Sequence, residues 1–183
     1  MNFVAVTQSL ASLALLSGVI GILLLGALAV PASRRALAVR VSGSEGLLVG
    51  IAALTAFVAS AGSIYYSEVV GFVPCLLCWY QRIAMYPLVP VLAVGLLRRD
   101  RGVWAYGVPL SAIGLVIALY HVLIQFRPAL EVVACGTGVP CTARYLAVFG
   151  FVSIPVMAAG GFLLVTGLLL LARAGWSETA GGA

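Results

Sequence analysis

The stretch Val73–Pro87 reads V-P-C-L-L-C-W-Y-Q-R-I-A-M-Y-P. It sets two cysteines, Cys75 and Cys78, at the mouth of an apolar segment that runs on to Leu97. Two thiols with two residues between them can close into a small, reducible ring. A helix that starts directly behind them offers free N–H groups and a partial positive charge, and both favour thiolate. Arg82 falls four residues after Cys78, one helical turn away on the same face. These residues point to thiol–disulfide chemistry at a membrane boundary.

The rest of the chain supplies the membrane. Of 183 residues 63% are hydrophobic and 8% charged, more apolar surface than a soluble domain of this size can bury. Five apolar runs are long enough to cross a bilayer: Ser9–Val30, Leu47–Val70, Trp79–Leu97, Val103–Gln125 and Leu146–Leu171. Pro87 and Pro90 are expected to kink the third run, and Pro155 to bend the fifth. A signal peptide is the rival reading of the first run, but Met1–Gln8 carries no basic residue. The expected fold class is an all-α membrane protein, a four-helix transmembrane bundle plus one extra N-terminal transmembrane helix. Three parts are expected: residues 1–45, the N-terminal helix with a basic loop from Pro31 to Glu45; 46–173, the bundle; and 174–183, a polar tail.

All ten positive side chains are arginines, and apart from Arg82 they lie outside the apolar runs. That pattern reads as membrane topology rather than nucleic-acid binding. Arg34, Arg35 and Arg40, then Arg98, Arg99 and Arg101, then Arg173 share one side. The other side has Arg127 and Arg144, with Arg82 at a helix edge. The arginine-rich loops are therefore expected in the cytoplasm, and the N-terminus and both cysteine loops outside. Close cysteine pairs, Cys75/Cys78 and Cys135/Cys141, independently suggest an oxidising compartment.

Each constellation has a plainer alternative. Cys75/Cys78 could be a structural staple, although closing a four-residue ring contributes only about 2 kcal/mol against roughly 3 for a 15-residue loop. All four cysteines could hold zinc, but the five residues G-T-G-V-P between Cys135 and Cys141 exceed ordinary knuckle spacing, so no metal is expected. Cys135 and Cys141 lie in the long loop Phe126–Arg144, whose Gly136, Gly138 and Pro140 suit an accessible disulfide; a loop staple is the alternative. Arg82 would either snorkel to lipid phosphate or stabilise negative charge on a thiolate or reduced acceptor. His121 and Gln125 form an i, i+4 pair at the outer end of the fourth run. They would serve an interhelical hydrogen bond, a cofactor or a proton. Glu68 reads as a surface carboxylate. Trp79, Tyr80, Tyr86 and Tyr120 read as interfacial anchors first and cofactor walls second.

P-C-L-L-C-W-Y-Q-R-I-A-M-Y-P, with V-P-C-T-A-R-Y and G-F-V-S-I-P downstream, resembles the DsbB/BdbC disulfide bond formation proteins. The similarity runs from about Leu47 to Leu171 and is nearer the BdbC branch, whose second pair is closely spaced. The resemblance implies a bacterial plasma-membrane thiol:quinone oxidoreductase. It would reoxidise an extracytoplasmic thioredoxin-fold thiol oxidase of the DsbA/BdbD kind and pass electrons to ubiquinone or menaquinone. By the same resemblance Cys75 and Cys78 are the quinone-proximal pair with Cys78 facing the quinone, and Arg82 binds the quinone. His121 lies near its pocket, and Cys135 and Cys141 meet the protein partner. The rival classes are a non-catalytic scaffold with a staple or zinc, and a quinone-linked reductase of the vitamin K epoxide reductase type. In the latter the loop cysteines precede the C-x-x-C. The family core has four spans, so Ser9–Val30 is an addition without an assigned role.

Overall fold

The computed structural model describes residues 2–132 and 139–181. Its six helices are α1 (Phe3–Ala29), α2 (Pro31–Val41), α3 (Glu45–Ile64), α4 (Leu76–Leu97), α5 (Trp104–Phe126) and α6 (Ile154–Gly181). A π-helical turn, Tyr65–Val69, extends α3, and a 3-10 turn, Pro128–Leu130, follows α5. Five of the helices are long and apolar enough to span a bilayer, α2 being the exception. The described residues form no strand beyond an isolated bridge between Val148 and Val152.

Helices α3, α4, α5 and α6 close a four-helix ring, each packing on the next, and α6 packs back on α3. Helix α6 is the most buried and also receives α1 and α2 on its outer side. Its core includes Phe162, Val165, Leu168 and Leu169, packed with Leu88 and Leu92 of α4. Close approach of the helices rests on small residues. Any Cβ on Gly114 of α5 would strike the Phe162 ring, and one on Gly160 of α6 would strike the Ala14 carbonyl of α1. Outward-facing Leu16, Leu23, Leu54, Phe57, Ile83 and Val116 are exposed, as lipid-facing positions require.

Two expectations about segments need correction. The basic stretch after α1 is a helix and not a loop: Pro31 sits at its first turn, where a missing N–H costs nothing. The fifth span begins at Ile154, not Leu146. Phe149 and Gly150 both have positive φ (52° and 83°), so the apolar run L-A-V-F-G-F-V turns back on itself, tied by Val148 and Val152. Pro155 accordingly stands in the first turn of α6, starting the helix rather than bending it.

Candidate functional site

The sequence V-P-C-L-L-C folds as a loop feeding α4, and Cys75 is the helix N-cap, with extended backbone (φ −73°, ψ 173°). Its sulfur accepts the Cys78 backbone N–H at 3.4 Å. The helix N-terminus therefore acts directly on the Cys75 sulfur. Both are free thiols with Sγ atoms 3.0 Å apart. The Cys78 thiol donates to Cys75 and holds it well below the usual thiol range, at about 4. His121 acts in the same direction, against the effect of burial.

His121, on α5, is buried behind this pair. Its Nε2 lies 2.9 Å from the Cys141 carbonyl oxygen and 3.7 Å from Cys75 Sγ. A carbonyl only accepts, so Nε2 carries the hydrogen. In the neutral ring Nδ1 must then accept, and the Gln81 side-chain amide donates to it at 2.9 Å. One imidazole thus touches the first thiol and the backbone of the second cysteine loop.

Cys141 is fully buried and disulfide-bonded. Cys135, with Gly136 and Gly138, lies outside the described residues. Gln125 fastens the descending part of this loop. Its amide donates to the Ala143 carbonyl (3.1 Å) and its side-chain oxygen accepts from Ser153 (2.7 Å), while Arg144 donates to its backbone oxygen (2.7 Å). Cys75, Cys78, His121 and Gln125 border a small gap of about 20 Å³ shared with Val139 and Pro140.

Cys78 also borders a second, far larger space of about 290 Å³, between α1, α3, α4 and α6. Its wall is mainly aliphatic, with Leu13, Leu54, Val58 and Met157 among its residues. Arg82 borders it, donating from Nε to Ser63 Oγ (3.0 Å) and from a terminal nitrogen to the Ser63 carbonyl (3.0 Å). The guanidinium stands 5.1 Å from the Trp79 ring centroid, and Tyr86 donates to the same Ser63 hydroxyl (3.3 Å). Arg82 is thereby held inside the bundle rather than extended to lipid.

The structure thus divides the residues singled out from sequence. Cys78 and Arg82 border the large cavity. His121 and Gln125, for which a cofactor was one of the roles open, do not line it; they join Cys75 to the Cys141 loop by hydrogen bonds. Gln81 was not singled out. It is buried, borders the cavity and orients His121. Its signal was a lone amide three residues after Cys78 in an apolar span, where a polar side chain needs a partner.

Cys75, Cys78 and His121 present three donor atoms within 4.8 Å of one another. A tetrahedral zinc would hold two thiolates about 3.8 Å apart, so the closer sulfurs here suit a dithiol better than a metal. The large cavity offers a guanidinium, hydroxyls and apolar walls, which fit a ring-shaped dicarbonyl with a greasy tail.

An all-helical membrane bundle carrying a capped, reducible Cys-x-x-Cys pair beside a second cysteine loop defines a membrane thiol–disulfide protein. The chain belongs to the DsbB family: residues 45–172 match the family described as disulfide bond formation protein DsbB. It is 47% identical over 109 residues to "Probable disulfide formation protein C 2" of Bacillus anthracis, covering 60% of this chain and 78% of that one. To "Probable disulfide formation protein" of Oceanobacillus iheyensis it is 48% identical over 118 residues (63% and 81%). To "Disulfide bond formation protein C" of Bacillus subtilis it is 40% identical over 126 residues (68% and 91%). No solved structure matches the chain. It is a multi-pass membrane protein of disulfide bond formation, with the thiol–disulfide oxidoreductase activity that family implies.

Proposed function

We propose that the chain is a protein dithiol:quinone oxidoreductase, which reoxidises an extracytoplasmic thioredoxin-fold thiol oxidase and delivers the electrons to a membrane quinone. The observation that carries this reading is the two-sidedness of the first pair. Cys75 meets His121, which bonds the Cys141 backbone, whereas Cys78 borders the apolar cavity with Arg82. Residues 46–173 are the catalytic unit, with residues 1–45 and 174–183 as additions. The cysteine loops are outside and the C-terminus is cytoplasmic, on the strength of the arginine bias.

In this reading a thiolate of the partner attacks the Cys135–Cys141 disulfide at Cys135, forming a mixed disulfide and releasing Cys141 as thiolate. The partner's second thiolate resolves the mixed disulfide and leaves oxidised. Cys141 attacks Cys75 of the Cys75–Cys78 disulfide, and Cys78 departs as thiolate; Cys135 then attacks Cys141, restoring the loop disulfide and leaving Cys75 reduced. Two electrons have then passed from the partner to the Cys75–Cys78 pair, with every sulfur accounted for. His121 orients the Cys141 backbone against Cys75 and favours negative charge on that sulfur. A quinone bound in the cavity would accept two electrons and two protons. Arg82, fixed by Ser63, would supply a preorganised positive charge there, and the aliphatic wall would exclude water.

The test is quinone reduction by the purified full chain fed a reduced thioredoxin-fold oxidase. Stoichiometric, quinone-dependent oxidation of the partner is expected. Partner oxidation that proceeds equally without quinone, or none at all, contradicts the proposal.

A further inference from the structure

The large cavity has a wall that the family core does not supply. Leu10, Leu13, Ala14 and Ser17 of α1 border it, although α1 lies outside the family match at 45–172. Helix α1 is seated closely on α6: a Cβ on Gly21 would come 2.6 Å from the Leu163 backbone carbon, and Gly160 lies directly under the Ala14 carbonyl. Helix α1 therefore adds a wall to a groove between α3 and α6 that stays partly open, with Leu13 and Leu54 both lining it and exposed.

Beside α1 the cavity wall includes a stack of rings. Tyr66 stacks on Phe72 with centroids 6.0 Å apart, and Phe72 stacks on Tyr145 at 4.6 Å. Phe3 of α1 meets Phe72 edge-on, and Tyr145 donates to the Val73 carbonyl at 3.0 Å. Stacking fixes the Tyr66 ring, yet its hydroxyl makes no hydrogen bond of good geometry, facing only the Thr7 side chain. The residue is 4% exposed, and its oxygen has no hydrogen-bond partner among the described residues. Thr7 of α1 stands beside it, also 4% exposed and also without a bond of good geometry. Buried hydroxyls are ordinarily paired, and Tyr66, a residue bordering the cavity, carries one that is not.

Resting on the quinone reading above, we propose that Tyr66 is a second polar anchor of the cavity. It donates its O–H to a carbonyl oxygen of the bound acceptor, and Thr7 of α1 positions the phenol. The first anchor is Arg82. A para-dicarbonyl ring has two polar ends, and an apolar cavity with one guanidinium and one unspent phenol matches that pattern. The added helix α1 then serves to wall and orient the acceptor, a role distinct from the thiol chemistry.

The experiment measures equilibrium binding of decylubiquinone to the full-length oxidised protein in nanodiscs, together with the infrared carbonyl bands of the bound quinone. Tyr66→Phe removes only the hydroxyl and keeps the ring stack. It should weaken binding about tenfold, the scale of one lost hydrogen bond, and move one carbonyl band to higher frequency. Thr7→Val, nearly isosteric, should weaken binding about threefold with a smaller band shift in the same direction. Wild-type affinity and unshifted bands in Tyr66→Phe overturn this inference while leaving the quinone reading standing. Absence of binding by the unsubstituted protein overturns the quinone reading and this inference with it.

Discussion

The two sides of the Cys75–Cys78 pair are built from opposite materials. On the Cys75 side the space is about 20 Å³ and threaded by hydrogen bonds through Gln81, His121, Gln125 and Ser153. On the Cys78 side it is about 290 Å³ and mostly aliphatic, with Arg82 fixed at its edge. Sulfur-to-sulfur exchange needs atoms brought into line at short range, which a tight polar junction supplies. A bulky apolar acceptor needs room and a dry wall, with charge only where charge develops. A three-residue separation on one helix start lets a single pair serve both surroundings.

Breaking the pair itself gives the largest effect. Cys78→Ala should abolish both oxidation of the protein partner and quinone reduction, because the Cys75–Cys78 disulfide cannot form. Cys135→Ala should abolish only the first; quinone reduction driven by a small dithiol that reaches Cys75–Cys78 should survive. Normal turnover of the protein partner by Cys135→Ala would refute the division between the two pairs.

Next comes the cavity side alone. Arg82→Ala should slow quinone reduction by roughly 30- to 1,000-fold, equivalent to about 2–4 kcal/mol, the scale of one preorganised donor. Arg82→Lys should recover only part of that rate, since a point charge cannot reproduce the fork held on Ser63. Exchange with the protein partner should stay near normal in both. Stopped-flow measurement of the two half-reactions separates this outcome from a lipid-snorkelling role, in which Lys and Arg would be equivalent.

The junction side should respond in the opposite sense. His121→Ala should slow electron passage from the Cys141 loop to Cys75 by roughly a hundredfold, the lower range for a positioned imidazole. Gln81→Leu, which acts only through His121, should cost about tenfold. Quinone reduction by a small dithiol should change little in His121→Ala. Equal losses in both half-reactions would merge the two regions into one.

The mildest perturbation is of protonation. With Cys75 lowered to about 4, the reduced protein should alkylate at Cys75 with a rate that rises through that pH and levels off well below neutrality. Cys78→Ala removes the thiol that donates to Cys75, so the protonated form regains ground and the midpoint should move up toward the ordinary thiol range. A midpoint unaltered by Cys78→Ala would assign the lowered value to His121 and the helix start instead.

Hydropathy made the five spans legible because a bilayer imposes length and composition directly. It failed where apolar sequence does not mean helix. Leu146–Val152 is as greasy as a span, but Phe149 and Gly150 turn the backbone. It failed conversely at Pro31–Val41, where three arginines suggested a loop and a short helix docks on α6. At the site, Cys75, Cys78 and Arg82 were legible because a single helix start sets their relation. The separation of His121 and Gln125 from Arg82 was not, since it depends on how α4 and α5 are rotated within the bundle. The contribution of α1 to the cavity was hidden for the same reason: spacing along α1 does not say which helices its small face meets.

The central claim is that electrons enter the first pair at Cys75 and leave from Cys78. It is tested most directly by mass spectrometry of the protein quenched with an alkylating reagent during reaction with the reduced partner in the absence of quinone. The account predicts a transient peptide linked through Cys75 and Cys141, with Cys78 alkylated. A Cys78–Cys141 link with Cys75 alkylated would contradict it.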